Sequence, residues 1–378
     1  MNPIYDDIRP YNDAEVVAAA ERLAQSPLLA KASAALFPDK EQGWLQNILR
    51  KVRSVNEFQV NVTSKVMERV IFNFTDGLTC SGLDNFIESD GSIGKYLLLS
   101  THRDIVLDPA LIQMALYRAG YPCTEIAVGD NLLANSDIED AMRSNRMIKV
   151  VRSDNPRVVY TTSKLLSAYM RERITQGESS VWIAHRQGRT KDGNDATEQG
   201  LLKMLNMSAN SGFTESFAEL RIMPVAVSYE YETCGALKAL ELYMKEQQGF
   251  YRKAPGEDTN SMLQGFIQPK GRVHIAFGKP LTLEEIKSAD AAEHNDKFRN
   301  LAQIIDGHLL DLFKLWPTNY AAADILGGSD THFKDGKYSE ADKVAFTEHI
   351  KKETEGMPEA IYRRLLELYA AHINNQNK

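Results

Sequence analysis

The chain of 378 residues contains only three cysteines, Cys80, Cys123 and Cys234, which are far apart and show no CxxC spacing. We therefore expect neither disulfides nor a cysteine metal site, as is typical of a reducing cytoplasmic compartment. No run of about 18 consecutive apolar residues is present, which argues against a transmembrane helix. The first residues lack a basic segment followed by an apolar one, so we expect no signal peptide.

Basic residues are fewer than acidic ones: 44 lysines and arginines and 51 acidic residues give a net charge of −7. This balance argues against a general nucleic-acid-binding protein, and no nucleic-acid-binding motif is present. A global surplus of acid does not prevent a local basic pocket. The length is sufficient for one large domain or two modest ones.

Short apolar segments alternate with helical patterns through the middle of the chain. The strand candidates are Tyr96–Ser100, Thr124–Val128, Met147–Arg152, Ser180–Ala184, Ile222–Tyr229 and Arg272–Phe277. The helix candidates between them are Pro109–Tyr117, Pro156–Gln176 and Asp195–Met207. This alternation predicts an α/β fold with a mostly apolar sheet flanked by helices. Pro224 should place its strand at a sheet edge or mark the start of that strand.

Helical patterns dominate both ends of the chain. We predict a helical N-terminal region at 1–75, an α/β domain at 76–285 and a helical C-terminal region at 286–378. A change to Gly, Asp and Ser after residue 75 indicates the first boundary. Helical periodicity that returns after Leu283 indicates the second. Residues 236–270, rich in Gln, Lys and Gly, are predicted to be an insertion.

The segment Tyr96–Ala110, YLLLSTHRDIVLDPA, is an apolar strand followed by a polar turn that contains His102. Asp108 and Pro109 are typical of a helix start, with a carboxylate at the N-cap and proline at the first helical position. A histidine held by a carboxylate can take a proton from a hydroxyl while the acid stabilises the imidazolium. Asp104 is the alternative partner, and a merely hydrogen-bonded histidine at a strand end is the alternative role.

Two further segments carry cations. In Met147–Arg157, Lys149 and Arg152 occupy alternating positions and need not share a face of the strand. Trp182–Gly200, WIAHRQGRTKDGNDATEQG, contains Arg186, Gly188, Arg189, Lys191 and Gly193 in one loop. Arginines beside glycines allow backbone N–H groups and guanidinium groups to close on a phosphate. Solvent-exposed cations are the alternative in both segments, and His185 is a less favoured second base.

The order of these segments resembles the four motifs of the glycerolipid acyltransferase family, over roughly residues 95–230. This family comprises glycerol-3-phosphate and 1-acylglycerol-3-phosphate acyltransferases. His102 and Asp108 resemble its HX4D motif, with one additional residue between them. Gln187-Gly188-Arg189 resembles its Glu-Gly-x-Arg motif, with an amide in place of the carboxylate and one residue fewer. Lys149 with Arg152 resembles the second motif and Pro224-Val225 the fourth, so the chain looks like a divergent branch.

The resemblance implies transfer of a fatty acyl group from an acyl thioester, either acyl-CoA or acyl-carrier protein. The acceptor would be a hydroxyl of glycerol-3-phosphate or 1-acylglycerol-3-phosphate in phospholipid synthesis. His102 would be the general base, and Asp108 would orient it. The implied substrate-binding residues are Arg103, Lys149, Arg152, Arg186, Gly188, Arg189 and Lys191. The resemblance implies no metal or redox cofactor.

The family's products enter membranes, so the resemblance also implies a membrane surface as partner and a cytoplasmic protein, peripheral on the inner face. The helical stretch 44–74 could dock there through its mixture of apolar and basic residues, and core helices are the alternative. Two other functions stay open. One is acyl transfer to an amino-acid lipid, and the other is a catalytically inactive lipid- or acyl-binding protein.

Overall fold

The computed structural model describes residues 2–133, 135–293 and 296–376. A seven-stranded sheet lies at the centre of the described chain. Its strands are β1 (Leu78–Ser81), β2 (Leu97–Ser100), β3 (Glu125–Gly129), β4 (Met147–Val150), β5 (Val181–Ala184), β6 (Ile222–Tyr229) and β7 (Val273–Phe277). Six of the seven match the predicted strands to within two residues at each end, and the α/β class is confirmed. The sequence did not reveal β1, because its residues LTCS are mostly exposed and show no apolar pattern.

The strands lie in the order β1-β7-β6-β2-β5-β3-β4. The five strands from β6 to β4 are parallel to one another. Strand β7 is antiparallel to β6 and parallel to β1. The carboxyl ends of five neighbouring strands therefore meet at one edge of the sheet, which is where open α/β sheets bind their ligands.

Pro224 lies inside the sheet, which corrects the prediction of an edge position or a strand start. Its strand begins at Ile222 and pairs with β2 on one side and β7 on the other. The Pro224 carbonyl accepts a hydrogen bond from Gly278 N at 2.8 Å, so the ring nitrogen also faces β7. The β7 ladder starts only at Val225, and the missing N–H therefore costs the sheet no ladder bond.

Helices account for most of the remaining chain. The first nine are α1 (Asp13–Gln25), α2 (Pro27–Leu36), α3 (Trp44–Leu49), α4 (Val55–Phe58), α5 (Ser64–Phe74), α6 (Leu107–Arg118), α7 (Ser136–Ser144), α8 (Pro156–Thr175) and α9 (Gln199–Leu205). The others are α10 (Phe213–Leu220), α11 (Gly235–Gln248), α12 (Glu257–Ile267), α13 (Leu283–Asp290), α14 (Asp296–Leu312), α15 (Pro317–Gly327), α16 (Thr331–Lys334), α17 (Glu340–Glu353) and α18 (Glu359–Gln376).

The sheet separates two apolar cores, because successive side chains of a strand point to opposite faces. Leu97 and Leu99 of β2 pack into one core with residues of α8, α9, α10, α13 and α14. Leu98 packs into the other core, with residues of α5 and α6. All three leucines are fully buried. The run of apolar residues in β2 thus follows from a strand that is covered on both faces.

The stretch 44–74 forms α3, α4, a π-helical turn and α5. Leu45 and Leu49 pack against α1, and Val70 and Ile71 pack beneath the sheet. The apolar faces of this stretch therefore contact the protein itself, as the core-helix alternative predicted. Phe72 is the exception, since it is 81% exposed. In the described part of the chain, no helix is both long and apolar enough to cross a membrane.

Candidate functional site

His102 lies two residues beyond the carboxyl end of β2, and its side chain contacts Asp108 in the first turn of α6. The distance from His102 Nδ1 to Asp108 Oδ2 is 3.3 Å. The same carboxylate accepts hydrogen bonds from Asp104 N at 2.8 Å and from the Tyr229 hydroxyl at 2.9 Å. These contacts fix the carboxylate. With the proton on Nδ1, the Nε2 atom of His102 is left as a hydrogen-bond acceptor.

Asp104 has a different role, because its carboxylate faces the start of α6. Its Oδ1 accepts hydrogen bonds from Val106 N at 2.9 Å and from Leu107 N at 2.8 Å. The helix starts at Leu107, so Asp108 is not the N-cap and Pro109 is not the first helical residue. This corrects the predicted helix start. Asp104 satisfies the free N–H groups, which leaves Asp108 available to contact His102.

A cavity of about 760 Å³ opens beside His102 at the carboxyl edge of the sheet. It contacts the loops that follow β2, β5, β3 and β4. Its charged lining residues are Arg152, Asp154, Arg186, Arg189, Glu198, Lys253 and Asp258. Gln187, Gly188 and Trp182 also line it. The structure thus places four predicted site positions, at 152, 186, 188 and 189, around the same space as His102.

The arginine loop after β5 is joined directly to the His102 turn. Thr190 N donates to the His102 carbonyl at 2.7 Å. Gly188 has a φ of +75°, a conformation that glycine adopts without strain. Arg189 is only 8% exposed, and within the described chain its Nη1 atom has no hydrogen-bond partner. Arg189 also lines the cavity, and a guanidinium at such a position can bind an anion that enters there.

Arg103, a predicted substrate ligand, lies in the interior and does not line the cavity. It is fully buried, and its guanidinium forms an ion pair with Asp195 at 2.5 Å. The same group donates to His372 Nε2 on α18 at 2.5 Å. Thr190 Oγ1 donates to the other oxygen of Asp195 at 2.7 Å. We therefore do not retain Arg103 as a substrate ligand, because its role is to connect the arginine loop with α18.

Three other candidate residues also lie away from the cavity. Lys149 is in β4, and its backbone N–H donates to Ile8. Lys191 forms an ion pair with Glu241 of α11. His185 is fully buried with its Nδ1 atom 2.9 Å from the Ser100 carbonyl oxygen, and burial lowers its pKa to about 4. Asp195, predicted to start a helix, lies in the loop before α9.

Sequence reasoning missed several residues of the cavity, and Lys253 is the clearest case. It belongs to the connection between α11 and α12, within the segment predicted to be an insertion. Asn131 and Glu198 also line the cavity. Glu198 forms no ion pair within the described chain, and it adds a third carboxylate to Asp154 and Asp258 in a cavity where Gln187 is neutral. Glu198 lies inside the predicted helix Asp195–Met207, whereas α9 begins only at Gln199, so the sequence pattern did not indicate it.

His372 should make the protein less stable in mild acid. Burial, together with the adjacent Arg103 guanidinium, lowers its pKa from 6.5 to about 3. At pH 5 the unfolded histidine binds a proton that the folded one does not, so stability is lost as the pH falls below 6.5. The expected loss between pH 7 and pH 5 is about 2 kcal/mol in the free energy of unfolding.

Urea unfolding of the wild type and of His372→Gln at both pH values measures this contribution. Glutamine can accept the hydrogen bond from Arg103 but does not titrate, so the variant should lose less stability on acidification. An identical loss in the two proteins would contradict this role of His372.

No protein-family model matches the chain, and no curated protein matches it. Among solved structures, the chain is similar to the 1-acyl-sn-glycerophosphate (LPA) acyltransferase PlsC from Thermotoga maritima. The similarity covers 79% of this chain and 95% of that chain, with 9% sequence identity and a TM-score of 0.40. A similarity at this level establishes neither a family nor an activity for this chain.

Proposed function

We propose that the protein is an acyltransferase that moves an acyl group from a thioester to a hydroxyl of a glycerol-phosphate acceptor. The observation that carries the proposal is the pairing of His102 with buried Asp108 beside a cavity that Arg186 and Arg189 also line. A base held in one orientation can activate a hydroxyl. These two arginines, one strand away, have no carboxylate partner among the described residues and can bind the phosphate of the same acceptor.

In the proposed reaction, Nε2 of His102 accepts the proton of the acceptor hydroxyl as its oxygen attacks the thioester carbonyl. Asp108 stabilises the imidazolium that forms. The C–S bond then breaks, the new ester C–O bond is complete, and the imidazolium returns its proton to the leaving thiolate. The protein's residues therefore finish the cycle in the protonation state in which they began.

The test is thioester turnover by the purified protein, followed through the thiol that acyl-CoA releases. We expect release to depend on glycerol-3-phosphate or on 1-acylglycerol-3-phosphate in vesicles, the form in which a membrane-surface enzyme would meet it. Thiol release that depends on an N-acyl amino acid instead would favour acyl transfer to an amino-acid lipid. Binding of acyl-CoA without turnover would favour an inactive acyl-binding protein.

Arg189 should determine affinity for the phosphorylated acceptor. Its planar group can contact two phosphate oxygens at once, which lysine cannot reproduce. Arg189→Lys should therefore raise the KM for glycerol-3-phosphate about ten- to hundredfold, the effect of losing a charged hydrogen bond of roughly 1.5–3 kcal/mol. The KM for the acyl donor should stay nearly unchanged.

Lys191→Gln is the matched control, because Lys191 belongs to the same loop but pairs with Glu241 outside the cavity. This variant should retain the wild-type KM for the acceptor. If Arg189→Lys raises only the donor KM, the loop binds the thioester carrier, and the assignment of the acceptor phosphate to this loop is wrong.

A further inference from the structure

Three of the cations that line the cavity follow strands of the sheet, at different distances from the strand of His102. The loop with Arg186 and Arg189 follows β5, which is the immediate neighbour of β2. Arg152 follows β4, which lies three strands away from β2 in the order β2-β5-β3-β4. With about 4.8 Å between neighbouring strands, the loop of Arg186 and Arg189 starts roughly 5 Å from the His102 strand. The guanidinium of Arg152 lies against Gly129 at the end of β3, roughly 10 Å from the His102 strand.

Arg152 is exposed, and its side chain lies close to the backbone at the end of β3. Arg152 N donates to Asp130 Oδ1 at 3.1 Å, which joins the loops after β3 and β4. A Cβ atom at Gly129 would lie 2.8 Å from Arg152 Nε and 2.5 Å from Asn131 Oδ1. Only glycine therefore leaves room for this guanidinium. Within the described chain, no carboxylate forms an ion pair with Arg152.

The two distances favour two different ligands of the proposed reaction. In glycerol-3-phosphate, about five bonds separate the reacting oxygen from phosphorus, roughly 6 Å when extended. In a phosphopantetheine thioester, about thirteen bonds separate sulfur from phosphorus, on the order of 15 Å when extended. The near arginines thus suit the acceptor phosphate. Arg152 is beyond the reach of that phosphate but within reach of the phosphate of the donor arm, which need not be fully extended.

We infer that Arg152, placed over Gly129 beside Asn131, binds the phosphopantetheine phosphate of the acyl donor. The inference rests on the proposed function and deepens it, since it gives donor and acceptor separate anion sites in one cavity. Acyl-CoA and acyl-carrier protein share this phosphate, and both donors should use the same contact. It also removes Arg152 from the residues assigned to the acceptor.

The experiment compares Arg152→Gln with the wild type on three donors: acyl-CoA, acyl-phosphopantetheine and acyl-pantetheine. Loss of a charged contact should raise the KM for the two phosphorylated donors about tenfold. The KM for acyl-pantetheine should not change, because this donor lacks the phosphate. Gly129→Ala should act like Arg152→Gln, because its methyl group displaces the guanidinium. Arg157→Gln, an exposed arginine outside the cavity, is the control and should behave as the wild type.

Three results would overturn the inference. They are a higher KM for glycerol-3-phosphate in Arg152→Gln, an equal effect on acyl-pantetheine, and an effect on acyl-CoA but not on acyl-phosphopantetheine. This last result would indicate that Arg152 contacts the nucleotide part of coenzyme A. With acyl-carrier protein as donor, Arg152→Gln should raise the donor KM by the same factor as with acyl-CoA, since the two donors share only the phosphopantetheine arm.

A binding measurement separates this inference from the proposed function. Calorimetric titration with coenzyme A and with 4′-phosphopantetheine requires no turnover. We expect both to bind the wild type about tenfold more tightly than Arg152→Gln. Equal binding to both proteins would overturn the inference. Absence of acyl transfer in a wild-type protein that binds both ligands through Arg152 would contradict the proposed function alone.

Discussion

Replacement of His102 by alanine should lower the rate of acyl transfer by a factor of about 10² to 10⁴, the usual contribution of a positioned general base. The side chain lines the cavity, and its contact with a protein carboxylate is the one to Asp108. Its loss removes the proton acceptor and leaves the cations of the cavity in place. Turnover should therefore fall much more than affinity for either substrate, as steady-state kinetics would show.

The control for this variant is His308→Ala, which removes a histidine outside the cavity that pairs with Glu285. His308→Ala should retain full turnover, and both variants should unfold at a temperature close to that of the wild type. Near-normal turnover in His102→Ala would show that His102 is not the general base of the proposed reaction.

Asp108→Asn should also reduce turnover strongly, by about 10² to 10⁴, because a neutral amide cannot stabilise the imidazolium as the carboxylate does. Asp104→Asn should change turnover only a few-fold. Its side-chain oxygen can still accept the hydrogen bonds from Val106 and Leu107 at the start of α6. The comparison is well matched, since both substitutions exchange a buried carboxylate for an amide within the same turn.

Kinetics of the two variants, with circular dichroism to verify folding, decides between the two acids. In Asp108→Asn, the amide oxygen can still accept from the backbone N–H groups, and the Tyr229 hydroxyl can rotate to face the NH₂ group. The fold should therefore survive. A larger loss of turnover in Asp104→Asn than in Asp108→Asn would transfer the orienting role to Asp104.

Local patterns in the sequence were sufficient for much of the fold. The apolar strands around Leu97–Ser100 and Ile222–Tyr229 could be predicted because a strand buried on both faces consists almost entirely of apolar residues. Strand β1 could not, since it lies at the sheet edge beside β7 and its side chains are mostly exposed. The domain boundaries near residues 75 and 285 stay a prediction.

The candidate site was partly predictable for a related reason. His102, Arg186 and Arg189 follow strands that the sequence reveals, and parallel strands bring their carboxyl ends to the same edge. Sequence spacing could not show that Arg103 points away from the cavity, since its environment depends on Asp195 and on His372 of α18. Nor could it show that Lys253 reaches the cavity from the connection between α11 and α12. Both depend on contacts between distant segments.

The most direct test of the central claim is formation of the acylated product from labelled glycerol-3-phosphate and acyl-CoA, followed by chromatography and mass spectrometry. The wild type should form labelled 1-acylglycerol-3-phosphate, or labelled diacyl product when 1-acylglycerol-3-phosphate is the labelled acceptor. His102→Ala should form about 1% of that amount or less. Absence of both products with the wild type, or an equal yield with His102→Ala, would contradict a His102-dependent acyl transfer to a glycerol-phosphate hydroxyl.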